Sequence, residues 1–114
     1  MRTTIKIASS LVIALGLIHT YIALFCRYMD SNALWFFGAG FAIIFAGLVN
    51  FMALDGGGSR FRTGAALGAN ALLLGMFCYA IPILNNSQVY IGIVLFLVTT
   101  LAFTRLAIEQ FRAS

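Results

Sequence analysis

The chain has 114 residues, of which 62% are hydrophobic and 9% charged. That is too little charge to cover the surface of a water-soluble domain of this size, and no connecting segment is long enough to form one, so a single domain in lipid remains. The net charge of +4 sits at the ends of apolar segments rather than in one patch, and so speaks to membrane topology and not to nucleic acid.

Four apolar segments follow one another, at about 7–26, 33–54, 64–84 and 89–108. Each reaches the roughly 20 residues a helix needs to cross a hydrocarbon core about 30 Å thick. The expected fold is an all-α membrane protein, a four-transmembrane-helix antiparallel bundle. Arg2, Lys6, Arg60, Arg62, Arg105 and Arg112 fall on one side of that arrangement and Arg27 alone on the other. The bias of basic residues toward the inside predicts N-in/C-in, with both termini cytoplasmic and the chain in a bacterial inner membrane.

The first segment follows a positive start. Its apolar run is too long for a signal-peptide core and no Ala-x-Ala site follows, so it reads as a retained span. It carries His19, the only histidine. An ionisable group inside a membrane is a functional hypothesis by default. The sharp readings are an axial ligand to haem or a pigment, or a proton-handling group. The structural reading is a neutral imidazole near the midplane, bonded to a hydroxyl such as Thr99 or Thr100. One histidine supplies neither a metal cluster nor a proton chain, which favours the structural reading. His19 is expected to face the interior with Val12, Gly16 and Ala23, leaving Ile13, Leu17 and Leu24 toward lipid.

In the turn that follows, Asp30, Ser31 or Asn32 can cap the second helix. Tyr28 and Trp35 fall at the water boundary, where amphipathic rings are favoured. The second segment carries Gly40 and Gly47, and then Asn50 near its inner end. The loop 55–63 contains Gly56-Gly57-Gly58, but lacks the Lys-Ser/Thr that a phosphate cradle needs. It reads as a turn whose Arg60 and Arg62 meet lipid headgroups.

The third segment places Gly64, Gly68, Ala71 and Gly75 on one helix face, a track along which another helix can approach closely. The second and third helices are therefore expected to form the tightest contact. Asn50 and Asn70 lie in the inner leaflet, as an interhelical amide pair or the start of a small polar pocket. Cys26 and Cys78 do not form a CxxC pair, leaving one bridge or two free thiols. Pro82 ends the third helix. The fourth segment is the bulkiest, and its Arg105 snorkels to the inner headgroups beside Glu109.

No cluster of catalytic residues appears, so an enzyme is not the expected class. The first functional expectation is a non-catalytic accessory or assembly subunit of a larger membrane complex, with membrane lipids and other membrane subunits, or further copies, as partners. The alternatives are a small oligomeric transporter or lipid- or small-molecule-binding protein using His19, Asn50 and Asn70, and a haem- or pigment-binding protein using His19.

Overall fold

A computed structural model describes residues 2–24, 31–55, 59–83 and 87–112, the side chains of residues 31–33 excepted. Four helices form the bundle: α1 (Arg2–Ala23), α2 (Ser31–Asp55), α3 (Arg60–Ala80) and α4 (Ser87–Arg112). Each is long and apolar enough to cross a membrane, consistent with an integral membrane protein. The expected cap at Asp30, the boundary ring of Tyr28, the triplet Gly56–Gly58 and one half of the Cys26–Cys78 question lie outside the described residues, as do the side chains of Ser31 and Asn32. Cys78 itself is an exposed thiol.

All four helices begin earlier than their apolar runs, α1 and α3 by the most. Helix α1 starts at Arg2 rather than at residue 7, because its charged first turn has a use. The Arg2 guanidinium donates to the Leu54 carbonyl oxygen at 2.8 Å, one of the acceptors that the end of α2 leaves without an intrahelical partner. Helix α3 starts at Arg60 rather than at residue 64, because Ser59 caps it. The Ser59 hydroxyl accepts from Arg62 N at 3.4 Å, and its carbonyl accepts from Thr63 N at 3.1 Å. Such a cap satisfies donors that the first turn cannot pair internally. At the other end, Ile81 N still reaches Cys78 O at 3.3 Å and Ile83 N reaches Ala80 O at 3.0 Å. Pro82, with no N–H to give, stands between them.

The helices stand in a four-sided ring. The α1/α2 and α3/α4 contacts are the most extensive and the α1/α4 and α2/α3 contacts much smaller. Among the described residues neither diagonal pair touches. This corrects the expectation that α2 and α3 pack most closely. Gly40 and Gly47 do mark a tight seam, but it faces α1. A methyl group on Gly47 would collide with Ile13, and one on Gly40 with Thr20. A methyl on Gly16, across the seam, would lie 2.6 Å from Ile44 Cγ1 and 2.9 Å from the Gly40 carbonyl oxygen. By contrast, nothing lies within 4 Å of where a methyl would stand on Gly64, Gly68 or Gly75, and Ala71 is exposed. That track is turned out of the bundle because α3 has a stronger claim on its opposite face. Ala66, Asn70, Leu73 and Phe77 point inward, where the Asn70 amide finds the partners that lipid cannot offer.

The interior is layered. One apolar cluster includes Val12, Leu15, Ile43, Phe77 and Phe96; the other comprises Ile5, Ala53, Leu54, Ala66 and Phe103. Between them lie Ser9, Asn50, Asn70 and Thr99, one from each helix and all fully buried.

Candidate functional site

The polar layer uses nearly all its own bonding capacity. Asn70 Nδ2 donates to Asn50 Oδ1 at 2.6 Å and to the Ala66 carbonyl at 2.6 Å, and Asn50 Nδ2 returns a bond to Asn70 Oδ1 at 3.3 Å. The Thr99 hydroxyl donates to the same Asn70 oxygen at 2.8 Å. Only the Ser9 hydroxyl in this layer has no partner. With apolar clusters above and below, the layer is a closed crosslink and not a route or a pocket. Asn50 and Asn70 meet each other and do not meet His19.

His19 stands one turn before the end of α1, at the opposite end of the bundle from Arg2 and Leu54. Its surroundings differ from those expected. Neither Thr99 nor Thr100 is its partner: Thr99 belongs to the polar layer, and the Thr100 hydroxyl is itself unpartnered. Ser9 and Thr99 share the polar layer, and His19, ten residues on from Ser9, stands about 15 Å beyond it at 1.5 Å per residue, level with Gln88 rather than with Thr99. There the imidazole lies flat on Phe36, with ring centroids 3.6 Å apart and planes 10° apart. The Gln88 side chain, in the first turn of α4, lies at the same end. The Nε2 atom is buried and has no partner. The face expected for α1 is otherwise as drawn: Val12, Gly16 and Ala23 are buried and Leu17 and Leu24 exposed, while Ile13 is half-buried against Gly47.

His19 and Gln88 form part of the wall of a cavity of about 550 Å³. All four helices contribute. Leu15, Ile43, Phe77 and Val89 come from the upper apolar cluster and close the cavity on the core side. Trp35 and Ile83, 77% and 68% exposed, stand where it opens. Among the described residues no acidic or basic side chain other than the imidazole lines it. The size falls in the range of small-molecule sites, which are mostly apolar with a few polar groups that fix orientation.

Gln88 is the residue that sequence reasoning missed. The fourth apolar segment begins only at residue 89, whereas α4 begins at Ser87 and carries Gln88 into the wall. The remaining sequence candidates lie elsewhere. Arg60, Arg62 and Arg105 are exposed at the Arg2 end, and Arg105 Nε lies 3.5 Å from Glu109. A second depression, lined by Arg2, Lys6 and Asp55 among others, lies at that end too, and its Arg2 already serves Leu54. Among the described residues no three metal-ligating side chains come together. No family model matches the chain, and no curated protein or solved structure is similar to it.

Proposed function

We propose that the protein is a small-molecule-binding integral membrane protein whose site is the cavity around His19. It crosses a bacterial inner membrane four times as an antiparallel bundle, with both termini cytoplasmic and the cavity in the outer leaflet. The topology is supported by the basic residues: Arg2, Lys6, Arg60, Arg62, Arg105 and Arg112 all belong to the end of the bundle away from His19. The binding role rests on one observation. A cavity of about 550 Å³, apolar on nearly every side, has an ionisable ring in its wall. A concave, mostly apolar space with few polar groups is the usual form of a small-molecule site, and an ionisable residue at membrane depth is a functional signal.

The experiment is purification in mild detergent followed by mass spectrometry of co-purifying small molecules, with Ala39→Phe as the control. Ala39 lines the cavity, and a phenyl ring there takes up its space. The expected result is a bound compound lost in Ala39→Phe. Identical extracts from both proteins would refute the reading. A visible absorption band that vanishes in His19→Gln would instead assign haem or a pigment to the same residue.

A second reading, an accessory or assembly subunit, is favoured by the outward track of Gly64, Gly68, Ala71 and Gly75, which no helix of this chain covers. Small residues are how membrane helices approach one another closely. Gly68→Ile should then strip a co-purifying subunit while leaving the melting of the isolated chain unchanged. Retention of the same partners by Gly68→Ile would remove this reading.

A further inference from the structure

We infer that the depression between the start of α1 and the end of α2 holds the head of a phospholipid that carries a primary ammonium beside its phosphate, as phosphatidylethanolamine does. Arg2 and Lys6 take the phosphate and Asp55 takes the ammonium. The inference rests on the membrane crossing proposed above and is independent of the His19 cavity.

One bond sets the place. Arg2 donates to the Leu54 carbonyl oxygen at 2.8 Å and so ties the first turn of α1 to the last turn of α2. Beside that tie lies a depression of about 530 Å³, lined by Arg2, Lys6 and Asp55 and by the apolar Phe51, Met52 and Leu54. All three charged side chains are exposed, so a ligand reaches them with no rearrangement of the fold. The tie engages one nitrogen of a guanidinium that has five N–H donors, and the others stay open.

The charges stand against their own helices. A helix start favours carboxylates and a helix end favours cations. Here Arg2 opens α1 and Asp55 closes α2. The basic residues have the inner headgroups to meet, but nothing in α2 accounts for a carboxylate at its end. Nor is Asp55 used nearby. Among the described residues neither its carboxylate nor the Lys6 ammonium has an ion-pair partner, although both line the same depression. Met1 and Gly56–Gly58, outside the described residues, have no ionisable side chain. Opposite charges that share a depression without pairing suit a ligand that carries both signs.

A phospholipid head with an amine does so. Its phosphate meets the point charge of Lys6 and the fork of Arg2, and its ammonium donates to Asp55. Phosphatidylglycerol would set an anion before that carboxylate with no cation to offer it. Phosphatidylcholine offers a cation without an N–H to donate. The apolar wall favours a lipid over a soluble phosphate ester. Met52 and, one turn farther into the bilayer, Leu48 are 59% and 48% exposed, an outward face along which an acyl chain can run.

The test is native mass spectrometry of the full chain in detergent. An equimolar mixture of phosphatidylethanolamine, phosphatidylglycerol and phosphatidylcholine with identical chains is supplied, and the intensity of each lipid adduct is read. Phosphatidylethanolamine should exceed each of the others by about threefold, the worth of one exposed ion pair. Asp55→Asn should erase that excess. Lys6→Gln should lower all three adducts by a similar factor, and Lys6→Arg, which keeps the charge, should retain them. Thermal melts of the variants report folding. Adducts led by phosphatidylglycerol, an ethanolamine excess that survives Asp55→Asn, or no adduct at all overturns the inference. Adducts indifferent to Lys6→Gln place the lipid elsewhere and overturn the site. Glycerophosphoethanolamine, the same head without chains, should leave the adducts unchanged at equal concentration; displacement by it assigns a soluble phosphate ester instead. Ala39→Phe should also leave them unchanged, and their loss in that variant assigns the lipid to the His19 cavity and overturns this site alone.

Discussion

Replacing Gly16 with alanine tests the seam on which the bundle is built. The new methyl would stand 2.6 Å from Ile44 Cγ1 and 2.9 Å from both Ile44 N and the Gly40 carbonyl oxygen. Comfortable contacts of this kind are about 3.5–4.0 Å, so α1 and α2 must part by roughly 0.6–1 Å. The Ile44 side chain has some freedom to turn, but the other two atoms belong to the backbone of α2 and move only with the helix. Overpacking costs about 1–3 kcal/mol, and two backbone obstacles place Gly16 in the upper half of that range. Alanine returns about 0.8–1.0 kcal/mol through its better helix propensity, for a net loss of about 1–2 kcal/mol. The same substitution at Gly68 meets nothing within 4 Å and keeps the propensity gain, so its sign should be opposite. Equilibrium unfolding of the two variants in mixed detergent and SDS measures the difference directly. A Gly16→Ala protein as stable as Gly68→Ala would refute both the α1/α2 seam and the outward turn of the α3 track.

Asn70→Leu should cost about 1–3 kcal/mol by the same assay, because it strands the buried Asn50 amide; Asn50→Leu in the same chain should recover part of it, since removing both partners is close to neutral, and a fully additive second loss would show that the pair is not what matters. Gly92→Ala drives a methyl into the Phe77 ring and should destabilise by about 1–3 kcal/mol; Phe77→Leu in that background should relieve the clash, and an unrelieved double variant would contradict the α3/α4 packing. In a chain with both cysteines changed to serine, Ser87→Cys should react with an impermeant maleimide from outside intact cells and Arg112→Cys only after permeabilisation; the reverse pattern would invert the proposed topology.

The four helices were legible because their signal is a bulk one: about 20 apolar residues at a time, punctuated by polar turns and Pro82. Their ends were less so, since Arg2 and Ser59 extend α1 and α3 through a capping bond rather than through hydropathy. The pairing of the helices was misread for a physical reason. A row such as Gly64, Gly68 and Gly75 tells that a helix can be approached, not which helix approaches it. Close packing belongs to a pair, and Gly16, alone in its segment, matters because Gly40 stands opposite. The meeting of Asn50 and Asn70 was easier to foresee, because two amides at matching depth have few other partners. The surroundings of His19 depended on the register of α1 against α4, which packing across the bundle sets and hydropathy does not. The cavity itself has no linear trace: its wall is assembled from single residues scattered over all four helices.

The unequal contacts divide the chain into two closed pairs, α1 with α2 and α3 with α4, which face each other across thinner boundaries. Each pair is contiguous in sequence and can close as it is made, before the other exists. The reciprocal bonds between Asn50 and Asn70 then become the late step that sets the alignment of one finished half against the other. An axial slip of a single residue, about 1.5 Å, would pull those amides apart where no water stands ready to replace them. The halves therefore dock in one alignment, and the information for that docking resides in two amide side chains rather than in the segment that links them. Two separately synthesised polypeptides, cut between residues 55 and 59, should retain it.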